Sequence, residues 1–400
     1  MDARRLLTSA SARPFWTLVS IRAAFWIGAA LALLWAPLRH DFPPFRAYDA
    51  RTDLLFSTFA QWDSGWFLRI ADHGYDIPAT SAFFPLYPLV VRAGGFVLGS
   101  TLVAAVLVSL VAAGVGAVLV WRIARAATGE AVAGDTVLLL ALYPSALVFT
   151  GAYSDGLFLA LAAGSFLAAT RDRGWLAGVL GGLAVATRLV GLALLPALLF
   201  LLWPRGRSVR ELTRPLPLVL LPAALGLYCL YLRHRFGDPF AFENAQSLYW
   251  LRETSPLGPL GGLWEAVSAG YHGAAELLLH LPRELGEPGG FPDRDRFAIW
   301  NVLHLLLLAA ALWLTWVVWR RLGPALGLYA VAIDAAVLSG THAVFPLASL
   351  PRYLLTNFPL FIALAALLRD RPRAREATLI AFGAVGAVGA VAFSRHIWIH

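Results

Sequence analysis

The stretch with the most chemistry in its residue types is 61–88, which reads QWDSGWFLRIADHGYD…AFFPLYP. One carboxylate, Asp63, lies between Trp62 and Trp66, with Arg69, His73 and Tyr75 behind it and Tyr87 at its end. A carboxylate of this kind can take a proton from an attacking hydroxyl. Tryptophan faces can stack on sugar or prenyl carbons. If 62–73 is a short surface helix, Asp63, Trp66 and Ile70 share a face at i, i+3, i+7, and Arg69 sits on the face of Trp62. A single carboxylate is enough when the leaving group is a phosphate, which departs as an anion and asks for cationic or dipolar donors.

Four further charged positions have the right types to complete such a site. Arg188 sits inside an apolar run, where an ionisable side chain is expensive and marks function or a snorkelling contact. A guanidinium there suits a phosphate, which it binds bidentately. Arg352, followed by Tyr353, opens a late apolar run in the same way. Asp155, after Tyr153 and Ser154, begins another, where it could pair with Arg188 or Arg352 or cap a helix. Arg233, His234 and Arg235 form a basic cluster that could meet a lipid phosphate or a headgroup. Gly237, Asp238 and Pro239 read as a turn.

These residues have to be positioned by membrane helices. Of the 400 residues, 59% are hydrophobic and only 14% charged, against roughly 45–50% and 25% in soluble domains, and mean hydropathy is +0.68. Apolar runs long enough to span a bilayer recur along the whole chain. The fold class is therefore all-α and polytopic, one membrane domain over 1–400. The net charge of +8 does not indicate nucleic acid. Its arginines fall in short segments between apolar runs, among them Arg4–Arg13, Arg122–Arg125, Arg171–Arg173, Arg205–Arg214, Arg320–Arg321 and Arg369–Arg375. The positive-inside rule puts these segments in the cytoplasm.

Alternating from a cytoplasmic N-terminus gives spans at about 16–38, 96–121, 131–150, 153–170, 215–232, 298–319, 324–341, 353–369 and 376–394. The run 175–203 lies between two arginine segments and is too short for two full crossings at about 1.5 Å per residue. It reads as two half-spans turning near Thr187 and Arg188. That makes eleven crossings and an outside C-terminus, with outer loops at about 39–95 and 233–297. The first run is longer than a signal-peptide core and reads as a retained anchor. The lone cysteine, Cys229, excludes a disulfide framework and a thiolate metal cluster. His73 has no second ligand at metal spacing, so no cofactor is assigned and a divalent metal has no support. P-loop and GxGxxG signatures are also absent.

The order WDxxWFxxIAxHGY then FFPLYP resembles the signature of the PIG-V family of mannosyltransferases. LYPSALVFTGAYSDGLF (142–158), ATRLVGL (186–192), FGDPFAFENAQ…W (236–250) and PRYLLTNFPLF (351–361) resemble further segments of that family in the same order. Asp155 stands where the family more often has glutamate, and Asp63 lacks the acidic neighbour of a DxD pair. The resemblance implies a GT-C glycosyltransferase fold and a catalytic aspartate, here Asp63, in the first outer loop. It implies a polyprenyl-phosphate sugar donor, with mannose or a similar hexose transferred with inversion to a glycolipid or glycoprotein acceptor at the outer face of a bacterial cell membrane. The expected substrate-binding set is Trp62, Trp66, Arg69, His73, Tyr75, Tyr87, Asp155, Arg188, Gln246, Arg352 and Tyr353. Two other readings fit a loop of this kind: a flippase for lipid-linked sugars, and a non-catalytic subunit that presents an acceptor.

Overall fold

The computed structural model describes residues 12–35, 54–58, 60–206, 208–284, 293–342 and 345–395. The first arginine segment at Arg4 and Arg5, the start of the first outer loop and residues 285–292 of the second lie outside the described residues. Apart from short turns, the order is α1 (Arg13–Trp35), α2 (Asp63–His73), α3 (Leu86–Leu98), α4 (Thr101–Thr128), α5 (Glu130–Leu142), α6 (Asp155–Thr170), α7 (Gly174–Thr187), α8 (Leu195–Leu202), α9 (Leu220–Phe236) and α10 (Ala241–Trp250). Then come β1 (Arg252–Thr254), α11 (Pro259–Glu284), α12 (Asp293–Leu322), α13 (Pro324–Ser339), β2 (Gly340–His342), α14 (Leu350–Leu354), α15 (Phe358–Leu368) and α16 (Pro372–Ser394).

Among the described residues, five stretches are long and apolar enough to cross a bilayer: α1, α4, residues 216–236, residues 297–322 and α16. The protein is an integral membrane protein of helical type. Shorter apolar helices fill in between them, including α3, α6, α7, α13 and α15. Two spans are broken where the sequence suggested continuity. The run 131–150 stops at Leu142, because Pro144 follows and the chain goes on as a 3₁₀ turn, Pro144–Phe149. The run 353–369 breaks at Asn357, with Pro359 in the first turn of α15. The outer loop drawn to residue 95 in fact contains α3, whose apolar length packs back on α4. The break at Arg188 falls where the sequence placed it. That residue is extended between α7 and the 3₁₀ turn Leu189–Leu194. Among the described residues, one small antiparallel ladder, β1 with β2, interrupts the helical pattern.

Helices in lipid gain little from burying apolar faces on one another, so close backbone approach between small residues matters more. A Cβ on Gly156 of α6 would lie 2.5 Å from the Ser109 carbonyl oxygen of α4. A Cβ on Gly178 of α7 would lie 2.2 Å from the Pro217 carbonyl oxygen. Polar pins complete the packing. Tyr87 donates to the Ala105 carbonyl at 3.1 Å and shares a hydrogen bond with Ser109 at 2.8 Å. Ser109 in turn donates to the Tyr153 carbonyl at 2.9 Å. Arg22, fully buried in α1, donates to the Ala141 carbonyl in the last turn of α5, where the helix dipole favours a cation. Asp334 of α13 accepts from Thr315 at 2.5 Å and from Asn357 at 2.9 Å, which fixes the turn just after α14.

The segment after α2 is held from behind. Tyr228 of α9 donates to the Ser81 carbonyl, and Ser81 donates to the Ala241 carbonyl at the start of α10. The basic cluster Arg233–Arg235 forms the last turn of α9, again at a helix C-terminus. Gly237 follows in the left-handed conformation at φ 79°, as a turn at Gly-Asp-Pro requires.

Candidate active site

The beginnings of α2, α6 and α14 and the break after α7 meet at one point. Asp63 is the first residue of α2, reached through Trp62, whose φ of +57° is unusual for a bulky side chain. Its Oδ2 accepts from Arg352 Nη1 at 2.5 Å. The same guanidinium donates from Nη2 to Asp155 Oδ2 at 2.9 Å and from Nε to both Asp155 oxygens at 3.2 and 3.3 Å. Arg188 Nη1 closes the set on Asp155 Oδ1 at 2.6 Å. Two carboxylates and two guanidiniums therefore form one chain: Asp63, Arg352, Asp155, Arg188.

Burial separates their roles. The Asp155 side chain is 1% exposed and accepts from two arginines, so it orients cations and has no room to receive a proton. The Asp63 side chain is 19% exposed, and its Oδ1 accepts no hydrogen bond among the described residues. It is the carboxylate with an oxygen left for an incoming hydroxyl. Arg188 and Arg352 are 13% and 14% exposed.

Aromatic rings frame the cations. Arg352 lies 4.5 Å above the Tyr153 ring, and Tyr153 donates to the Gln61 carbonyl at 3.0 Å, tying the turn before Asp63 to the turn before Asp155. The Tyr353 ring has Arg188 at 5.6 Å and Arg252 at 5.0 Å. Arg252 also donates to the Tyr353 hydroxyl at 2.6 Å and has no carboxylate partner among the described residues. With it the group holds three guanidiniums against two carboxylates. That surplus of one positive charge can receive an anion.

The other expected site residues have different surroundings. Arg69 makes a two-point ion pair with Asp76 at 3.0 and 2.6 Å, within its own loop. That guanidinium holds the Asp76 carboxyl below its ordinary range. Trp66 stacks on Phe83 with centroids 6.0 Å apart and meets Trp250 edge-on at 5.4 Å, forming an aromatic wall behind α2. Tyr75 donates to the Phe83 carbonyl at 2.6 Å, and Tyr87 is wholly buried in the pin described above. His73 is exposed at the end of α2, and Gln246 is half-buried on α10.

Residues 15–208 match the family described as Mannosyltransferase (PIG-V). Over that segment the chain is similar to the PIG-V family. The segment supplies Asp63, Asp155 and Arg188. Arg252, Arg352 and Tyr353 come from beyond it. Similar curated proteins include GPI alpha-1,6-mannosyltransferase 2 of Mus musculus, 31% identical over 173 residues, which are 39% of this chain and 34% of that protein. The Rattus norvegicus counterpart is 30% identical over 166 residues, 37% and 32% of the two chains. The match thus spans about a third of these relatives. In backbone the chain is similar to ArnT from Cupriavidus metallidurans bound to undecaprenyl phosphate, with TM-score 0.49, 18% identity, and coverage of 92% of this chain and 64% of that one. It is also similar to the Archaeoglobus fulgidus oligosaccharyltransferase in complex with zinc and sulfate, with TM-score 0.47, 14% identity, and coverage of 95% and 52%.

Arg252 was not visible from sequence. It lies in a polar region, two residues after Trp250, with no apolar run around it to mark its charge as costly. Asp334 did have such a signal. It is an acid inside the apolar run 324–341, which the cost of ionisable groups at membrane depth singles out.

Proposed function

We propose that this protein is a membrane glycosyltransferase of the GT-C type that moves mannose, or a similar hexose, from a polyprenyl monophosphate to an acceptor hydroxyl at the outer membrane face. The observation that supports it most is the Asp63–Arg352–Asp155–Arg188 chain, drawn from four distant parts of the sequence to one point. Asp63 takes the acceptor proton as the acceptor oxygen bonds to the sugar C1 from the side opposite the phosphate. The C1–O bond to phosphate breaks, and its electron pair leaves on the phosphate oxygen. Arg188, Arg252 and Arg352 receive that charge, and Asp155 keeps Arg188 and Arg352 in place before it develops. No proton has to be given to the leaving group.

The outer-face assignment is supported by helix ends. Asp155 begins α6, whose other end runs into Arg171 and Arg173. Arg352 precedes α15, whose other end runs into Arg369. Arginine-rich ends face the cytoplasm, which leaves the ion chain outside.

The test is transfer from radiolabelled polyprenyl-phosphate mannose to a membrane lipid extract by the purified protein, with Asp63→Asn alongside. Label should pass to acceptor with wild type and fall by about 10²-fold or more in the variant, the scale of a positioned general base. Equal transfer by both proteins would remove Asp63 as base.

A further inference from the structure

Asp334 is a buried acid that the transfer chemistry above does not use. It lies in α13, inside an apolar run, where a carboxylate is costly and marks a role. No cation pairs with it among the described residues. Its oxygens accept instead from Thr315 of α12 and from Asn357, which stands between α14 and α15. Resting on the transferase reading, we infer that Asp334 is a positioning residue, which sets the place of Arg352 by clamping the helix break that follows it.

The break shows why a clamp is needed. The helical ladder is interrupted between α14 and α15, although Thr356 and Asn357 there are buried. Backbone groups freed inside a membrane domain have no water to meet them, and α13 supplies their partners. Tyr329 donates to the Thr356 carbonyl at 2.8 Å. Asn357 Nδ2 donates to the Ala330 carbonyl at 3.2 Å and to Asp334 Oδ1 at 2.9 Å. The Asn357 Oδ1 has no partner among the described residues, so these two N–H groups alone hold its side chain. A neutral acceptor would satisfy the amide. Both oxygens of Asp334 accept, so it needs no proton of its own, and as a carboxylate it makes a bond roughly twice as strong. That stiffens the turn.

The stiffness reaches the reacting centre over a short path. Thr356 Oγ1 donates to the Tyr353 carbonyl at 2.6 Å. The Asn357 and Leu355 N–H groups bond back to the Leu354 and Arg352 carbonyls. Arg352 itself carries the bridge between Asp63 and Asp155. The other end of α13 serves the second guanidinium. The Ser339 carbonyl accepts from the Ser255 N–H at 2.8 Å, and the Gly340 carbonyl accepts from Arg252 Nη2 at 3.3 Å. One helix therefore holds both segments that bring arginines to the Tyr353 ring. Asp334 fixes α14 against that helix, and so sets the spacing of Arg352 and Arg252 where they would receive the phosphate.

A double-mutant cycle on thermal unfolding of the full chain in detergent tests the link without any transfer step. Asp334→Leu and Arg352→Gln together are expected to lower Tm by less than the sum of their separate losses, because Arg352 has already lost its place when Asp334 is gone. Thr315→Val removes the bond to Asp334 that does not touch α14, so its loss is expected to add in full to that of Arg352→Gln. Additive losses for Asp334→Leu, or equal coupling for Thr315→Val, would overturn the inference. If Asp334→Leu does not fold, Asn357→Ala breaks the same clamp from the other side and takes its place in the cycle.

Transfer from polyprenyl-phosphate mannose gives the second readout. Asp334→Leu should lower kcat/KM for this donor by about 10²-fold, the cost of a misplacement of about 1 Å, with donor KM raised. Asp334→Asn should recover most of that loss, since its amide oxygen still accepts from Asn357 and its NH2 group meets a Thr315 hydroxyl able to accept. A fall in kcat with donor KM unchanged would report only a smaller folded fraction and would overturn the positioning role. Coupling in the cycle without transfer by wild type would sink the transferase reading and leave the clamp standing. Transfer by wild type with an additive cycle would do the reverse.

Discussion

Arg352 Nη1 and Asp63 Oδ2 stand 2.5 Å apart although 289 positions separate them in the chain. The contact joins the start of α2 to the short helix α14, and the second hand of the same guanidinium grips Asp155. A side chain that holds two acids from two segments sets the distance between them. Asp63 therefore has its position fixed by residues that cannot be its neighbours in sequence.

Asp63→Asn and Asp155→Asn should fail in opposite ways. The first removes a partly exposed carboxylate with one partner, so transfer falls by about 10²-fold or more while melting temperature changes little. The second leaves two buried arginines without their shared counter-charge, and breaking a buried ion pair costs about 3–5 kcal/mol. Thermal unfolding in detergent, measured beside transfer, separates the two. A loss of stability in Asp63→Asn equal to that in Asp155→Asn would mean that the two acids are one structural unit.

Arg252 is expected to act on the donor. Its guanidinium lies over the Tyr353 ring and on its hydroxyl, with no acid among the described residues to neutralise it. Arg252→Ala should raise KM for a polyprenyl-phosphate donor by about tenfold, since a hydrogen bond to a charged group contributes about 1.5–3 kcal/mol. Tyr353→Phe keeps the ring and loses only the hydroxyl contact, so its effect should be smaller. Steady-state kinetics with donor varied decides the order.

Much of the membrane architecture could be read from sequence because apolar runs and arginine-rich ends are local signals. The break at Arg188 was visible for the same reason: a short run between two arginine segments leaves no other geometry. The candidate site was legible only in part. Asp63, Asp155, Arg188 and Arg352 each carry a local mark of cost or company, but that one guanidinium bridges two acids depends on helix packing that no window contains. Arg69 shows the converse. Its place near Asp63 in sequence suggested a phosphate ligand, whereas Asp76, seven residues on, is its partner. Proline positions explain the shortened spans, since Pro144 and Pro359 each follow the residue where a helix ends or a new one starts.

Glycine packing under the site gives a third prediction. Gly156 follows Asp155 directly, and any side chain there meets the α4 backbone at Ser109. Ser109 is also the residue that holds the Tyr153 carbonyl. Gly156→Leu should push α6 from α4 and displace Asp155, lowering the yield of folded protein and abolishing transfer. Gly134 has nothing within 4 Å of its Cβ position, so Gly134→Leu is the matched control and should leave both unchanged. Size-exclusion profiles and transfer rates of the two variants make the comparison, and similar damage by both would show that the α4–α6 approach is not special.

The last prediction concerns pH. Burial, and after it the Arg252 guanidinium, hold the His342 imidazole below its ordinary value near 6.5. The folded state therefore binds this proton less readily than the unfolded state, and stability rises with pH between the two values. Above about pH 6.5 the ring is neutral in both states and its contribution is complete. As pH falls through that value the unfolded chain gains the proton first, and the contribution is lost until the folded ring also titrates. The β1–β2 ladder should loosen in that acidic window, seen as faster amide exchange at Glu253 and Ser255, whose N–H groups face the partner strand, at pH 5.5 than at pH 7.5 after correction for intrinsic rates. His342→Gln, which cannot titrate, should remove the difference. A loss of protection that persists in His342→Gln would assign the pH response to another group.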